Sequence, residues 1–164
     1  CAYWIKKLLS ISKGIDMKKN ILLVTFASLF FSGNVLAQDL SGTWQQIDDK
    51  TGSPKAIIEI HKSSNNTFTG KVVKITPRLG YTPWEKCVNC PSPYTDQPIL
   101  GLEIFKNLKF EGENLYAGGQ ILDPLSGKIY NLKGKQSTNG KRLLLRGYIG
   151  ISAIGRTQTW IRQE

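Results

Sequence analysis

The chain has one histidine, one methionine and three cysteines in 164 residues, and these scarcities close off several chemistries before any pattern is read. A structural zinc site takes four Cys or His ligands, whereas Cys87, Cys90 and His61 are all that the segment expected to fold can offer. A serine or cysteine nucleophile needs a base beside it, and His61 has no such partner at a recognisable catalytic spacing; we read it as a solvent-facing histidine. Asp48, Asp49, Glu59, Asp96 and Asp123 fall mostly in turns, where Asp serves the backbone, and they supply no acid–base pair. No catalytic residue, metal or cofactor is assigned from these residues, and a non-enzymatic role is favoured without closing the question.

Long apolar runs are missing too. The longest, Ile21 to Phe31, holds eleven apolar-dominated residues, short of the roughly 20 that cross a bilayer. It follows Met17-Lys18-Lys19 and precedes Val35-Leu36-Ala37, which is the order of a signal peptide: basic start, apolar run, small-residue cleavage site. Residues 17–37 are therefore expected to be a signal helix cleaved after Ala37, and residues 1–16 a disordered upstream extension. Residues 38–164 are expected to form a single domain, periplasmic or secreted, whose length suits one hydrophobic core.

Acidic residues are outnumbered, with a net charge of +10 over the whole chain. Residues 1–37 hold five lysines and one aspartate, so 17 basic and 11 acidic residues remain beyond them, a net of +6. No interleaved basic and aromatic motif is present, so nucleic acid is not an expected partner. An anionic envelope surface is a candidate partner for Lys128, Lys133, Lys135, Lys141 and Arg142, although we favour reading them as an ordinary solvated exterior.

Also lacking is any helical period: no stretch of ten or more residues past Gln38 repeats at 3.6. Apolar alternation instead breaks at turn clusters about every ten residues, the pattern of a β-sandwich or barrel. Strands are expected at Thr43–Ile47, through Ala56, Ile58 and Ile60, at Thr67–Ile75, over Ile99–Phe110, at Leu115–Leu122, Lys128–Lys135, Arg142–Ile149 and Arg156–Arg162. Asn139-Gly140 is expected to form a type I′ turn with two positive φ angles. The one long irregular stretch, residues 76–98, carries five of the seven prolines and the Cys87/Cys90 pair. About eight antiparallel strands joined by short turns hide their edges best in an all-β up-and-down barrel. Such a barrel is filled by its own side chains or holds one small ligand.

In a closed meander the first and last strands are neighbours, so Arg162, or failing that Arg156, can lie within about 6 Å of the Trp44 ring. This Gly42-x-Trp44 opening with a terminal Arg resembles the lipocalins and fatty-acid-binding proteins, the calycin barrels. A longer set of motifs covers nearly all of residues 38–164. It comprises Gly42-Thr43-Trp44, Thr51-Gly52, Cys87-x-x-Cys90, Gln97-Pro98-Ile99-Leu100-Gly101-Leu102 and Asp123-Pro124-x-x-Gly127-Lys128-x-Tyr130. Arg146-Gly147-Tyr148-Ile149-Gly150-x-Ser152 through Gly155-Arg156-Thr157-Gln158-Thr159-Trp160 completes it and is its most specific part. Together these resemble the exported bacterial family of domain of unknown function 2147, a resemblance that implies a lipocalin-like fold and no particular activity.

For Cys87 and Cys90 the reading is a local disulfide, with a redox-active pair or a metal site as rivals. Same-parity residues share a face of a strand. Arg146, Tyr148, Arg156, Gln158 and Trp160, together with Trp44, are accordingly the candidate ligand-binding residues, set against the alternative that these polar groups satisfy one another or point outward. A cavity of roughly 300 Å³ or more is expected, apolar from Ile58, Ile60, Leu102 and Ile104, with Arg146, Tyr148 or Gln158 at its polar end. The leading functional reading is an exported lipocalin-like protein that binds a small hydrophobic, amphipathic or lipid-like molecule. An envelope interaction protein with a filled barrel, or a thiol-redox or enzymatic factor using the Cys87/Cys90 loop, stands as the alternative.

Overall fold

Along residues 54–62 the side chains of Ala56, Ile58 and Ile60 are buried while those between them reach solvent to varying degrees, the two-residue period of a strand with one face on a core. The same alternation, interrupted by turns, builds the whole molecule. The computed structural model describes residues 39–77, 79 and 85–164; the signal helix and upstream extension expected over residues 1–37 lie outside them. Among the described residues of the unit Gln38–Glu164 there are eight strands: β1 Gly42–Ile47, β2 Pro54–Lys62, β3 Thr67–Ile75, β4 Glu103–Gly112, β5 Leu115–Asp123, β6 Lys128–Gln136, β7 Arg142–Tyr148 and β8 Gly155–Arg162. Each pairs antiparallel with its sequence neighbours, and β1 pairs with β8 through Trp44↔Arg162, Gln45↔Ile161 and Gln46↔Trp160. The sheet is a closed barrel without a free edge.

Two local expectations change. The extended run foreseen from Ile99 begins only at Glu103, because Ile99–Leu102 is a turn closed by the Leu102 N–H on the Ile99 carbonyl at 3.1 Å. Leu100 consequently points to solvent while Leu102 is buried. At the second site, Gly140 has φ +71° but Asn139 is not left-handed. The Ser137 carbonyl accepts from the Gly140 N–H at 2.9 Å, and the Ser137 hydroxyl donates to Asn139 Oδ1 at 2.6 Å, so local hydrogen bonding selects a different turn. The pair of positive φ angles falls instead at Glu113 (49°) and Asn114 (66°), the two-residue link between β4 and β5.

One end of the barrel is packed solid. Trp44, Phe68, Phe105, Leu108, Tyr116, Leu143 and Trp160 are buried there, with Phe68 edge-on to Tyr116 at 5.7 Å and Phe105 tilted against Trp160 at 6.0 Å between centroids. By area, burying each indole contributes roughly 4–6 kcal/mol of transfer free energy. The segment preceding β1 is strapped across this end: Trp44 Nε1 donates to the Leu40 carbonyl at 2.8 Å, and Leu40 is itself fully buried. Arg162 completes the closure, its guanidinium carbon 4.3 Å from the Trp44 ring centroid. Its three nitrogens donate to the carbonyls of Gly140, Ser41 and Asp39 at 3.0, 2.7 and 2.8 Å. The closing pair expected from the two chain ends is therefore Trp44 with Arg162.

Tyr116 has its hydroxyl hydrogen-bonded to Gln136 Oε1 at 3.2 Å inside this packing. Burial, helped by the Asp39 carboxylate and opposed by Arg162, pushes the phenol up to about 12. The folded protein thus holds this proton more tightly than the unfolded chain, whose phenol titrates near 10. The associated stability is complete below about pH 10 and is lost as pH rises toward about 12. In an alkaline absorbance titration one phenolate should therefore emerge only toward pH 12, about two pH units above the ordinary value of a phenol, and Tyr116→Phe should abolish that late component. Full phenolate absorbance by about pH 11 would contradict the assignment.

Candidate functional site

At the opposite end the barrel is not filled. A cavity of about 610 Å³ opens there, walled by Ala56 and Ile58 of β2, Val72 and Ile75 of β3, Ile104 of β4, Ile121 of β5, Tyr130 and Leu132 of β6, and Leu145 and Gly147 of β7. These face inward because each strand turns one parity toward the axis, and their side chains are too short to meet across it once the aromatic plug is left behind. On β1 and β8 the inward positions just above the plug are Gln46 and Gln158. Gln46 Nε2 donates to Gln158 Oε1 at 2.7 Å, and Trp160 Nε1 approaches the same oxygen at 3.5 Å. They form a polar floor beneath apolar walls.

The mouth is made by loops. Ile99 comes from the long β3–β4 connection, Pro124 and Leu125 from the β5–β6 turn, and Ile149 and Ile154 from the β7–β8 loop. Charged side chains at the mouth are already engaged. Lys55 pairs with Asp48 at 3.7 Å, Arg156 Nε donates to Asp49 Oδ2 at 2.9 Å, and Asp123 accepts from Leu125 N–H and Ser126 Oγ.

Three of the six residues foreseen as ligand-binding border the cavity: Gln158 at its floor, with Arg156 and Tyr148 at the rim. Arg146 is placed elsewhere, because β7 turns Leu143 and Leu145 inward and therefore presents the intervening positions outward. Its guanidinium donates to the Ser152 and Ala153 carbonyls at 2.7 and 2.9 Å and to Thr157 Oγ1 at 3.0 Å, so it holds the β7–β8 loop. Trp44 and Trp160 belong to the plug. Ile58 and Ile104 line the cavity as expected, whereas Ile60 and Leu102 are buried away from it. Gln46 and Tyr130 were not singled out from sequence. Gln46 could have been, since it sits two residues after Trp44 and shares its face.

Cys87 and Cys90 lie at disulfide distance with their Cα atoms 5.4 Å apart, in the β3–β4 connection. Both are buried, with the Pro124 carbonyl oxygen 3.9 Å from each sulfur. That burial shields the sulfurs from an attacking thiolate, and closing so short a loop is worth about 2 kcal/mol on the chain-entropy account. The contact fixes the β5–β6 turn as well. Gly127 has φ +70°, and a Cβ there would run into the Asn89 carbonyl, so the disulfide loop and the mouth turn are seated directly against each other. Among the described residues no group of three or more His, Cys, Asp or Glu is placed to hold a metal ion. His61 lies on the exterior, 3.2 Å from Glu59.

A solved structure shares this architecture. Protein HP1028 from Helicobacter pylori, described as belonging to the lipocalin family, superposes with a TM-score of 0.64 at 21% identity, over 77% of this chain and 84% of that one. Among curated proteins none matches. The family profile described as "Uncharacterized protein conserved in bacteria (DUF2147)" matches residues 42–162, from the first residue of β1 to the last of β8. With the barrel lipocalin-like and the profile spanning all of its strands, the chain belongs to the DUF2147 family.

Proposed function

We propose that this protein is an exported lipocalin-like carrier that holds one small amphipathic or lipid-like molecule in its barrel, in the periplasm or outside the cell. The observation that carries the reading is the 610 Å³ cavity, within the roughly 300–1,000 Å³ range of ligand pockets and walled by aliphatic side chains above a polar floor. A barrel meant only as a rigid interaction surface has no use for such a void, since an unfilled apolar cavity lowers stability. The mouth supports passage of an apolar molecule. Ile149, Ile151 and Ile154 of one loop stand 59, 65 and 69% exposed, and grouped exposed apolar side chains mark sites of contact.

Native mass spectrometry on protein purified from the envelope of its own bacterium tests this. A small molecule released on denaturation is expected, together with a raised melting temperature when delipidated protein is given an envelope lipid extract. Bare polypeptide mass, with no thermal shift from any fatty acid, lipid or extract, would leave a non-carrier role instead.

A further inference from the structure

From the cavity floor we infer that the bound molecule enters polar end first, and that this end is a neutral group which both donates and accepts a hydrogen bond, an amide or an alcohol, and not an ionised carboxylate. The inference rests on the carrier reading and specifies its ligand. The indole N–H of Trp160 can only donate, so its contact with Gln158 Oε1, together with the 2.7 Å bond from Gln46 Nε2 to that atom, turns the Gln158 oxygen toward the floor. Beyond those bonds the Gln158 amino group and the Gln46 carbonyl oxygen have no hydrogen-bond partner among the described residues, and Gln46 Nε2 keeps a second N–H beside them. Amide donors and an acceptor therefore stand side by side beneath walls of Ile58, Ile104, Leu132 and Leu145.

Water can satisfy that pair while the cavity is empty, but a ligand that fills the cavity expels it. An alkyl chain end would strand both groups unbonded, which is costly in an apolar surrounding. An ionised carboxylate would satisfy the donor, yet it would face the Gln46 oxygen, and the cations that line the cavity among the described residues, Lys55 and Arg156, sit at the mouth and are bound to Asp48 and Asp49. A buried anion without a cation is strongly disfavoured. A primary amide or an alcohol meets donor and acceptor together and carries no charge.

The test uses the intact barrel and a probe series of one chain length: the long-chain primary amide, the alcohol, the fatty acid at neutral pH, and its methyl ester, each titrated by calorimetry. The amide and alcohol should bind about tenfold or more tightly than the acid anion and the ester. In Gln158→Leu, shown folded by its circular dichroism, that ratio should fall to near one, and Gln46→Leu should reduce it as well. An acid binding as tightly as the amide, or an unchanged preference in both variants, would overturn the inference while leaving the carrier reading intact. Failure of every probe to bind would overturn both.

Discussion

Trp44→Ala is expected to lower the stability of the barrel by about 3–5 kcal/mol, the cost of removing a buried large aromatic side chain. The indole is fully buried, its N–H is bonded to the Leu40 carbonyl, and the Arg162 guanidinium rests on its face. Alanine removes all three contacts and leaves Arg162 over a void. Because small domains are stable by only about 5–15 kcal/mol, a substantial fraction of the variant should be unfolded in mild denaturant. Trp44→Phe keeps a ring under Arg162 and loses chiefly the hydrogen bond, so its loss should be clearly smaller. Urea unfolding followed by circular dichroism measures both. Equal midpoints for the two variants would show that the ring face matters less than the N–H.

Gly70→Ala should cost about 3 kcal/mol, the upper end of what overpacking does to a core, although it adds one methyl group to a strand. A Cβ at position 70 would overlap the ring of Phe105. That ring cannot simply retreat, since Trp160 lies against it at 6.0 Å between centroids. The expected signature is a coupling: Gly70→Ala combined with Phe105→Leu should be more stable than Gly70→Ala alone, because the smaller side chain makes room. A double variant no better than the single would mean that the backbone of β3, not the ring, sets the limit.

The barrel was readable in the sequence because its determinants are local. Alternating Ala56, Ile58 and Ile60, the Asp123-Pro124 turn and the G-x-W opening each state a local preference, and these preferences agree with a meander of eight strands. The candidate site was only half readable. Gln158 was singled out and borders the cavity, but Arg146, in the same motif, does not. The β7 alternation does not by itself say which parity faces the axis, since both Leu143–Leu145 and Arg146–Tyr148 define a face. Bulges add to this: the register shift opposite Ile57/Ile58 puts an extra residue, Val73, into β3, and the one between Tyr116 and Gly119 puts an extra residue into β5, each resetting the alternation of the strand that carries it.

By itself, then, the sequence determined that the chain past Gln38 is a β-meander, where most of its turns lie, and that Trp44 and an arginine of the last strand are suited to close it. Tertiary structure alone decided which face of each strand became interior. It also decided that the aromatic side chains gather at one end, and that a cavity over Gln46 and Gln158 is left at the other. The reason is physical: a two-residue period defines two faces but not their destination. The volume left inside a barrel depends on how residues as distant as Gly70, Phe105 and Trp160 pack together after closure, which no local pattern records.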